Sequence, residues 1–207
     1  MELTAVQRDA LTELINIGFG RAAASLSRLT GYRVLLDVPN VSIHPMERLQ
    51  DALAGMMTGE IATVHQVFTG PVAGDAFLAL DESAAALLKE LLTSEPALPL
   101  RIDASTQEVV TEIGNVLLNA CLGTFGNLLK VHVSFSVPRL TVDTLGQVLE
   151  SVTVDRQELR YALVVHAGLR LRSDTVRSYL IIVLSVASLD RFVQAIDVWQ
   201  EHEGAAG

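Results

Sequence analysis

Asp9-Ala-Leu-Thr-Glu13-Leu-Ile-Asn16, with Pro39 after it, and Glu108-Val-Val-Thr-Glu112-Ile-Gly-Asn115, with Pro138 after it, share one spacing. Each reads acidic-x3-Glu-x2-Asn, and in each 22 residues separate the asparagine from the proline. Glutamate, asparagine and proline all recur at an offset of 99. A lone Glu-x2-Asn is an ordinary solvated helix face. Proline makes up about 5% of residues, so two prolines at one fixed distance arise by chance roughly once in several hundred trials. The repeat, more than any single residue, points to a duplicated chain with a duplicated polar constellation.

Around the first copy, residues 4–29 read as a helix. Leu11, Leu14, Ile15, Gly18, Ala22, Leu26 and Leu29 recur at three- and four-residue steps and form one apolar stripe. Thr4 and Gln7 suit a capping box, and Gly31 suits a stop. At about 100° per residue, Asp9, Glu13 and Asn16 fall within roughly 60° of one another on the opposite, solvent-facing side. Residues 105–129 repeat the pattern, with Val110, Ile113, Leu117, Cys121, Phe125 and Leu128 as the stripe. Glu108, Glu112, Asn115 and Asn119 make its polar face. Ser105 and Glu108 form a capping-box pattern, which offers Glu108 a structural role beside a functional one.

An alternating strand follows each helix, Val34 to Val38 and Val133 to Val137, and a proline closes it where a missing N–H costs least. Short helices are expected at Met46 to Ala54 and Thr144 to Ser151. Strands are expected at Ile61 to Phe68, Ala76 to Leu80, Tyr161 to His166 and Tyr179 to Leu184. Closing helices complete the pattern at Ser83 to Leu92 and Ser188 to Val198. Each half, about 4–93 and 103–200, then reads helix, strand, helix, strand, strand, helix, with a proline-bearing connector over 94–102. Neither half alone covers both faces of a three-stranded sheet. The expectation is one α+β domain over 1–207, with two equivalent long helices packed on a mainly antiparallel sheet and related by a pseudo-two-fold.

The chain has 207 residues, is half hydrophobic and carries a formal charge of −9. That is enough apolar material for a sizeable core, and the charge argues against nucleic-acid partners, whose binders need basic surfaces. With Cys121 the single cysteine, no internal disulfide is available, which suits a reducing, cytoplasmic location. Met1 leads into a patterned segment without a signal-peptide profile, and the apolar run from Tyr179 to Leu189 is too short to span a bilayer, so no membrane insertion is expected. Gly18-Phe-Gly20-Arg-Ala-Ala imitates a dinucleotide fingerprint but follows a helical segment, not a strand. Small residues there fit a close approach of two helix backbones. Cys121 lies on the apolar stripe and reads as inert core. The five histidines have no ligand spacing, so no metal site is expected.

The duplicated motif, together with Glu13-Leu-Ile-Asn16-Ile-Gly18-Phe-Gly20, resembles the CheC-type phosphatases, a family that includes CheX and FliY. The resemblance covers roughly residues 5–200 and is greatest to the stand-alone CheC type. It implies a CheC-like fold and removal of the phosphoryl group from the aspartyl phosphate of a CheY-type response regulator. It also implies no cofactor of the chain's own, the regulator supplying Mg²⁺ and a lysine. By position, Asn16 and Asn115 would orient the attacking water, and Glu13 and Glu112 would pair with the regulator's lysine. Pro39 and Pro138 would support insertion of the helix face. Asp9 matches the first motif position, whereas Glu108 stands where the family has Asp or Ser, so the first site is expected to be the stronger. Two other roles follow from the same resemblance: a regulatory module binding the receptor deamidase CheD, and a structural part of the flagellar switch.

Overall fold

Helix α1 (Ala5–Thr30) forms where the stripe and its two stop signals predict it. The Thr4 hydroxyl accepts from the Gln7 amide at 3.2 Å, and the Gln7 side chain accepts from the Thr4 amide at 3.1 Å. Gly31, at φ 71°, ends the helix in the left-handed region that glycine adopts without strain, its N–H donating to the Ser27 carbonyl. Leu11, Leu14, Ile15, Phe19, Ala22 and Leu26 are all buried, and sinking a large apolar side chain of this kind contributes about 1.5–3 kcal/mol. Leu29 departs from the expected stripe. It is exposed, because the last turn of α1 borders an open groove instead of the core.

The computed structural model describes residues 3–37, 40–93, 102–128, 130, 132–153, 160–171 and 174–204. After α1 come β1 (Val34–Leu36), β2 (Asn40–Pro45), α2 (Met46–Leu53), β3 (Glu60–Thr69), β4 (Gly74–Asp81) and α3 (Glu82–Thr93). Then follow α4 (Ala104–Leu128), β5 (Ser134–Phe135), β6 (Arg139–Thr144), α5 (Leu145–Thr153), β7 (Arg160–Leu171), β8 (Asp174–Ser185) and α6 (Val186–Gly204). Two strands, β2 and β6, were not foreseen. They are short, they lie beyond the prolines expected to end strand structure, and their partners are far away in the chain. Most of the connector read over 94–102 lies outside the described residues.

Eight described strands form one antiparallel sheet in the order β1-β7-β8-β4-β3-β5, with β2 also on β7 and β6 also on β3. The pairing crosses the middle of the chain. Strands β1 and β2 extend the later hairpin β7/β8, whereas β5 and β6 extend the earlier hairpin β3/β4. The two hairpins meet at β4 and β8, where Gly74 faces Leu184 and Ala79 faces Tyr179. Each hairpin therefore has its exposed edge closed by chain from the other half.

Helices cover both faces of the sheet. Residues of α1, α3, α4 and α6 pack with Leu180, Ile182 and Leu184 of β8, while α2 and α5 pack with its Tyr179, Ile181 and Val183. A strand buried on both faces reads as a continuous apolar run, which is why Tyr179 to Leu184 shows little alternation. Helix α4 is long and apolar enough to cross a membrane, but 56% of that window is buried in this fold against α1 and the sheet.

Two glycines set how closely the layers meet. A Cβ at Gly18 would stand 3.3 Å from the Cα of Cys121, so α1 and α4 approach nearly backbone to backbone there. A Cβ at Gly114 would stand 2.7 Å from Val64, so α4 sits directly on β3. The start of α4 corrects the capping expectation. Asp103 is the cap: its Oδ1 accepts from the Thr106 amide at 2.8 Å and the Thr106 hydroxyl at 2.7 Å, and its Oδ2 meets buried Lys89 at 3.0 Å. Ser105 already lies within the helix, so Glu108 is released from the box assigned to it.

Candidate functional site

On α1, the turn that buries Leu14 and Ile15 leaves Glu13 exposed and Asn16 half-buried at the margin of the stripe. On α4, the turn that buries Ile113 and Gly114 leaves Glu112 exposed and Asn115 half-buried. Asp9 and Glu108 are exposed one turn earlier on their helices. The i, i+3 spacing holds each carboxylate and carboxamide as neighbours on one face. Glu108 and Glu112 also line the groove bordered by Leu29, Thr30, Leu92 and Thr93. Pro138 is half-buried between β5 and β6, next to Val137, which is 82% exposed. Pro39 lies outside the described residues. Cys121 is 1% exposed, and burial pushes its thiol pKa well above the ordinary range, so it is no nucleophile.

Beneath Asn115 lies a chain of hydrogen bonds whose polarity one backbone group decides. The Ser136 carbonyl can only accept, so the Gln66 atom 2.9 Å away is the donor Nε2. That same nitrogen donates to Asn119 Oδ1 at 3.2 Å. Asn119 therefore turns its Nδ2 toward Asn115 and donates to Asn115 Oδ1 at 2.6 Å. The order is Ser136, Gln66, Asn119, Asn115, running from the strand layer to the outer face of α4. Ser136 is itself clamped to β3: its N–H donates to the Val67 carbonyl and its hydroxyl accepts from the Val67 amide, each at 2.9 Å. Gln66 Oε1 is buried without a hydrogen-bond partner among the described residues, an arrangement that costs about 1–3 kcal/mol. Gln66 is tolerated there for its N–H groups.

The segment around Asp37 is clamped to β7 in the same way, the Asp37 N–H donating to the Gly168 carbonyl at 2.9 Å. Here the resemblance to the Ser136 clamp stops. Arg170 pairs with the Asp37 carboxylate. Buried Ala167 precedes Gly168 where Gln66 precedes Val67, and Gly20, with open space beside it, follows Asn16 where Asn119 follows Asn115. No hydrogen bond to the Asn16 side chain is found among the described residues. Sequence reasoning placed Asn119 on the polar face without a role and missed Gln66 and Ser136. The signals were a second asparagine one turn beyond the first and a glutamine breaking the apolar alternation of β3 between His65 and Val67.

The CheC-like family model matches residues 6–43, the part of the chain that carries Asp9, Glu13 and Asn16. The chain is 23% identical over 167 residues to the CheY-P phosphatase CheC of Bacillus subtilis (strain 168), covering 79% of each protein. It is 24% identical over 143 residues to the flagellar motor switch phosphatase FliY of the same organism, covering 67% of this chain and 36% of that protein. The crystal structure of Thermotoga maritima FliY superposes with a TM-score of 0.77 at 21% identity, covering 96% of this chain and all of that one. In its motif helix, in sequence and in fold, the chain is thus similar to the CheC-like family and to its CheC and FliY members.

Proposed function

We propose that this protein removes the phosphoryl group from the aspartyl phosphate of a CheY-type receiver domain in the cytoplasm, using Glu13 with Asn16 and Glu112 with Asn115. One observation carries the reading: two Glu-x2-Asn pairs, on different long helices packed against each other, both stand at the surface instead of in the core. The names of the relatives support the reaction class.

The chemistry asks little of the catalyst. An aspartyl phosphate is an activated acyl phosphate, and the receiver supplies Mg²⁺ and a lysine. What it lacks is a water held in line with the leaving carboxylate oxygen. A carboxamide orients that water through its N–H donors, its oxygen or both, with no need for an altered pKa. Such positioning is worth several kcal/mol, up to about 7–11 in the best-arranged systems. Glutamate, engaged with the receiver's lysine, docks the helix and leaves the water to asparagine. Exposed Val137 and half-buried Pro138 follow Ser136, which is linked to Asn115 through Gln66 and Asn119, and offer an apolar edge to the receiver.

The test is phosphate release from a receiver domain charged with a small-molecule phosphodonor and Mg²⁺. Wild type should accelerate release, Asn16→Ala and Asn115→Ala should each lower the rate, and the double variant should abolish the acceleration. No acceleration with any receiver from the same cell would end this reading, and a pull-down would then look for a deamidase partner. The likeness to FliY supports a second placement of the same activity, at the flagellar switch. Co-purification with switch proteins would decide for it.

A further inference from the structure

The geometry points to Asn119 and Gln66 as positioning residues that lock the Asn115 carboxamide with its Oδ1 turned inward and its N–H groups presented outward, leaving Asn16 free to turn either way. This rests on the phosphatase reading for its consequence but not for its structural content. The 2.6 Å bond from Asn119 occupies Asn115 Oδ1, and its direction is inherited from the Ser136 carbonyl through Gln66. Asn115 Nδ2 is then the group offered to an incoming ligand, and it is offered in one orientation. A carboxamide already aligned loses less rotational freedom when a water or phosphoryl oxygen arrives. For the α1 pair the corresponding positions are Gly20 on α1 and Ala167 on β7, neither of which has a polar side chain to hold Asn16. The two pairs therefore differ in preorganisation although their motifs match.

The same Gln66 amide also grips the carbonyl of Ser136, two residues before Pro138. A displacement of the Val137 and Pro138 edge on docking thus reaches Asn115 through two side chains. The edge and the water-orienting amide move as one unit.

The test isolates each site. In an Asn16→Ala background only the α4 pair works. There, Asn119→Asp keeps the size of the side chain but removes its N–H donor, and Gln66→Leu removes the donor that sets the chain's polarity. Both should lower kcat roughly tenfold while KM for the phosphorylated receiver stays within about twofold, since docking is untouched and only orientation is lost. In an Asn115→Ala background the same substitutions should leave the α1 pair's turnover in place, which also reports that the fold is intact. Equal loss in both backgrounds, or an unchanged kcat in the first, would overturn the proposal. A second readout needs no activity: ¹⁵N relaxation of the side-chain amides should show Asn115 more ordered than Asn16, and Asn119→Ala, which leaves no partner at that position, should bring Asn115 down to the level of Asn16. Equal order in the wild type would overturn the proposal even if phosphatase activity were confirmed. If the wild type is inactive, the phosphatase reading fails, and the relaxation data still decide whether Asn115 is held.

Discussion

Gly114 stands between Glu112 and Asn115, so the depth at which it seats α4 decides where that pair is presented. A Cβ added there would lie 2.7, 2.7 and 2.8 Å from the Cβ, Cγ2 and Cγ1 of Val64. Carbon atoms in good contact sit about 3.5–4.0 Å apart, so Gly114→Ala demands a relative shift of roughly 1 Å. Val64 cannot supply it by rotating, being fully buried in β3 and β-branched. Overpacking of this kind costs about 1–3 kcal/mol, and three simultaneous clashes place it near the top of that range. Alanine is a better helix former than glycine by ~1 kcal/mol, which offsets part of the cost. The net expectation is a loss of about 2 kcal/mol, or a Tm lower by roughly 4–8 °C for a chain of this size. Thermal melts followed by circular dichroism, with urea unfolding to check that the m-value is unchanged, would measure it. Two further variants separate the cause from general sensitivity. Gly20→Ala, with nothing within 4 Å of the added carbon, should stabilise by about 0.5–1 kcal/mol. Val64→Ala removes two of the three clashing atoms, so combined with Gly114→Ala it should cost at least ~1 kcal/mol less than the sum of the singles. A Gly114→Ala protein that melts at or above wild type, or strict additivity in the cycle, would refute the reasoning.

The remaining predictions concern titration and reactivity. Hydrogen bonds from the Thr106 hydroxyl and backbone, then from Lys89, hold the Asp103 carboxyl at about 2, below its ordinary 3.8. A depressed carboxylate pKa contributes stability that is present above the unfolded value and disappears as pH falls through the folded one. Wild type should therefore lose that contribution between about pH 4 and 2. Asp103→Asn should be less stable at neutral pH and converge on wild type across that window; a constant difference in melts from pH 2 to 7 would contradict the cap. Burial beneath Gly18 raises the Cys121 thiol pKa and shields it, so a disulfide reagent should label it only when the protein is unfolded. Labelling of the native protein at the rate of a free thiol would disprove the α1–α4 contact. The double Asn16→Ala, Asn115→Ala variant should keep the wild-type Tm within about 4 °C, because both side chains lie at the margin of the surface, where a change usually stays within ~0.5 kcal/mol. A large drop would recast both asparagines as structural.

How far local pattern reached can be read from particular elements. The stripe from Leu11 to Leu26, the Thr4–Gln7 box and the Gly31 stop specify α1 from within its own residues, because helix hydrogen bonds and caps are local. Apolar runs likewise located the β3/β4 and β7/β8 hairpins, and the helical period set Glu13, Asn16, Glu112 and Asn115 on faces that prove to be at the surface. The same local reading erred at the start of α4, where Ser105 and Glu108 imitate a capping box. Asp103 wins there because it accepts from the Thr106 hydroxyl and amide, with Lys89, brought by α3, adding to them.

Residue order within the chain thus determined the helices, the hairpin strands and the exposed polar faces, since periodicity and capping depend on neighbours three or four positions apart. Tertiary structure alone decided which hairpin edge β2 and β6 would close, because period-2 alternation names a face but not a partner. It alone brought Gln66, on a strand, within reach of Asn119, on a helix 53 residues away. Hydrogen bonds at that separation have no sequence period to announce them, and this one distinguishes Asn115 from Asn16 where the motifs read the same.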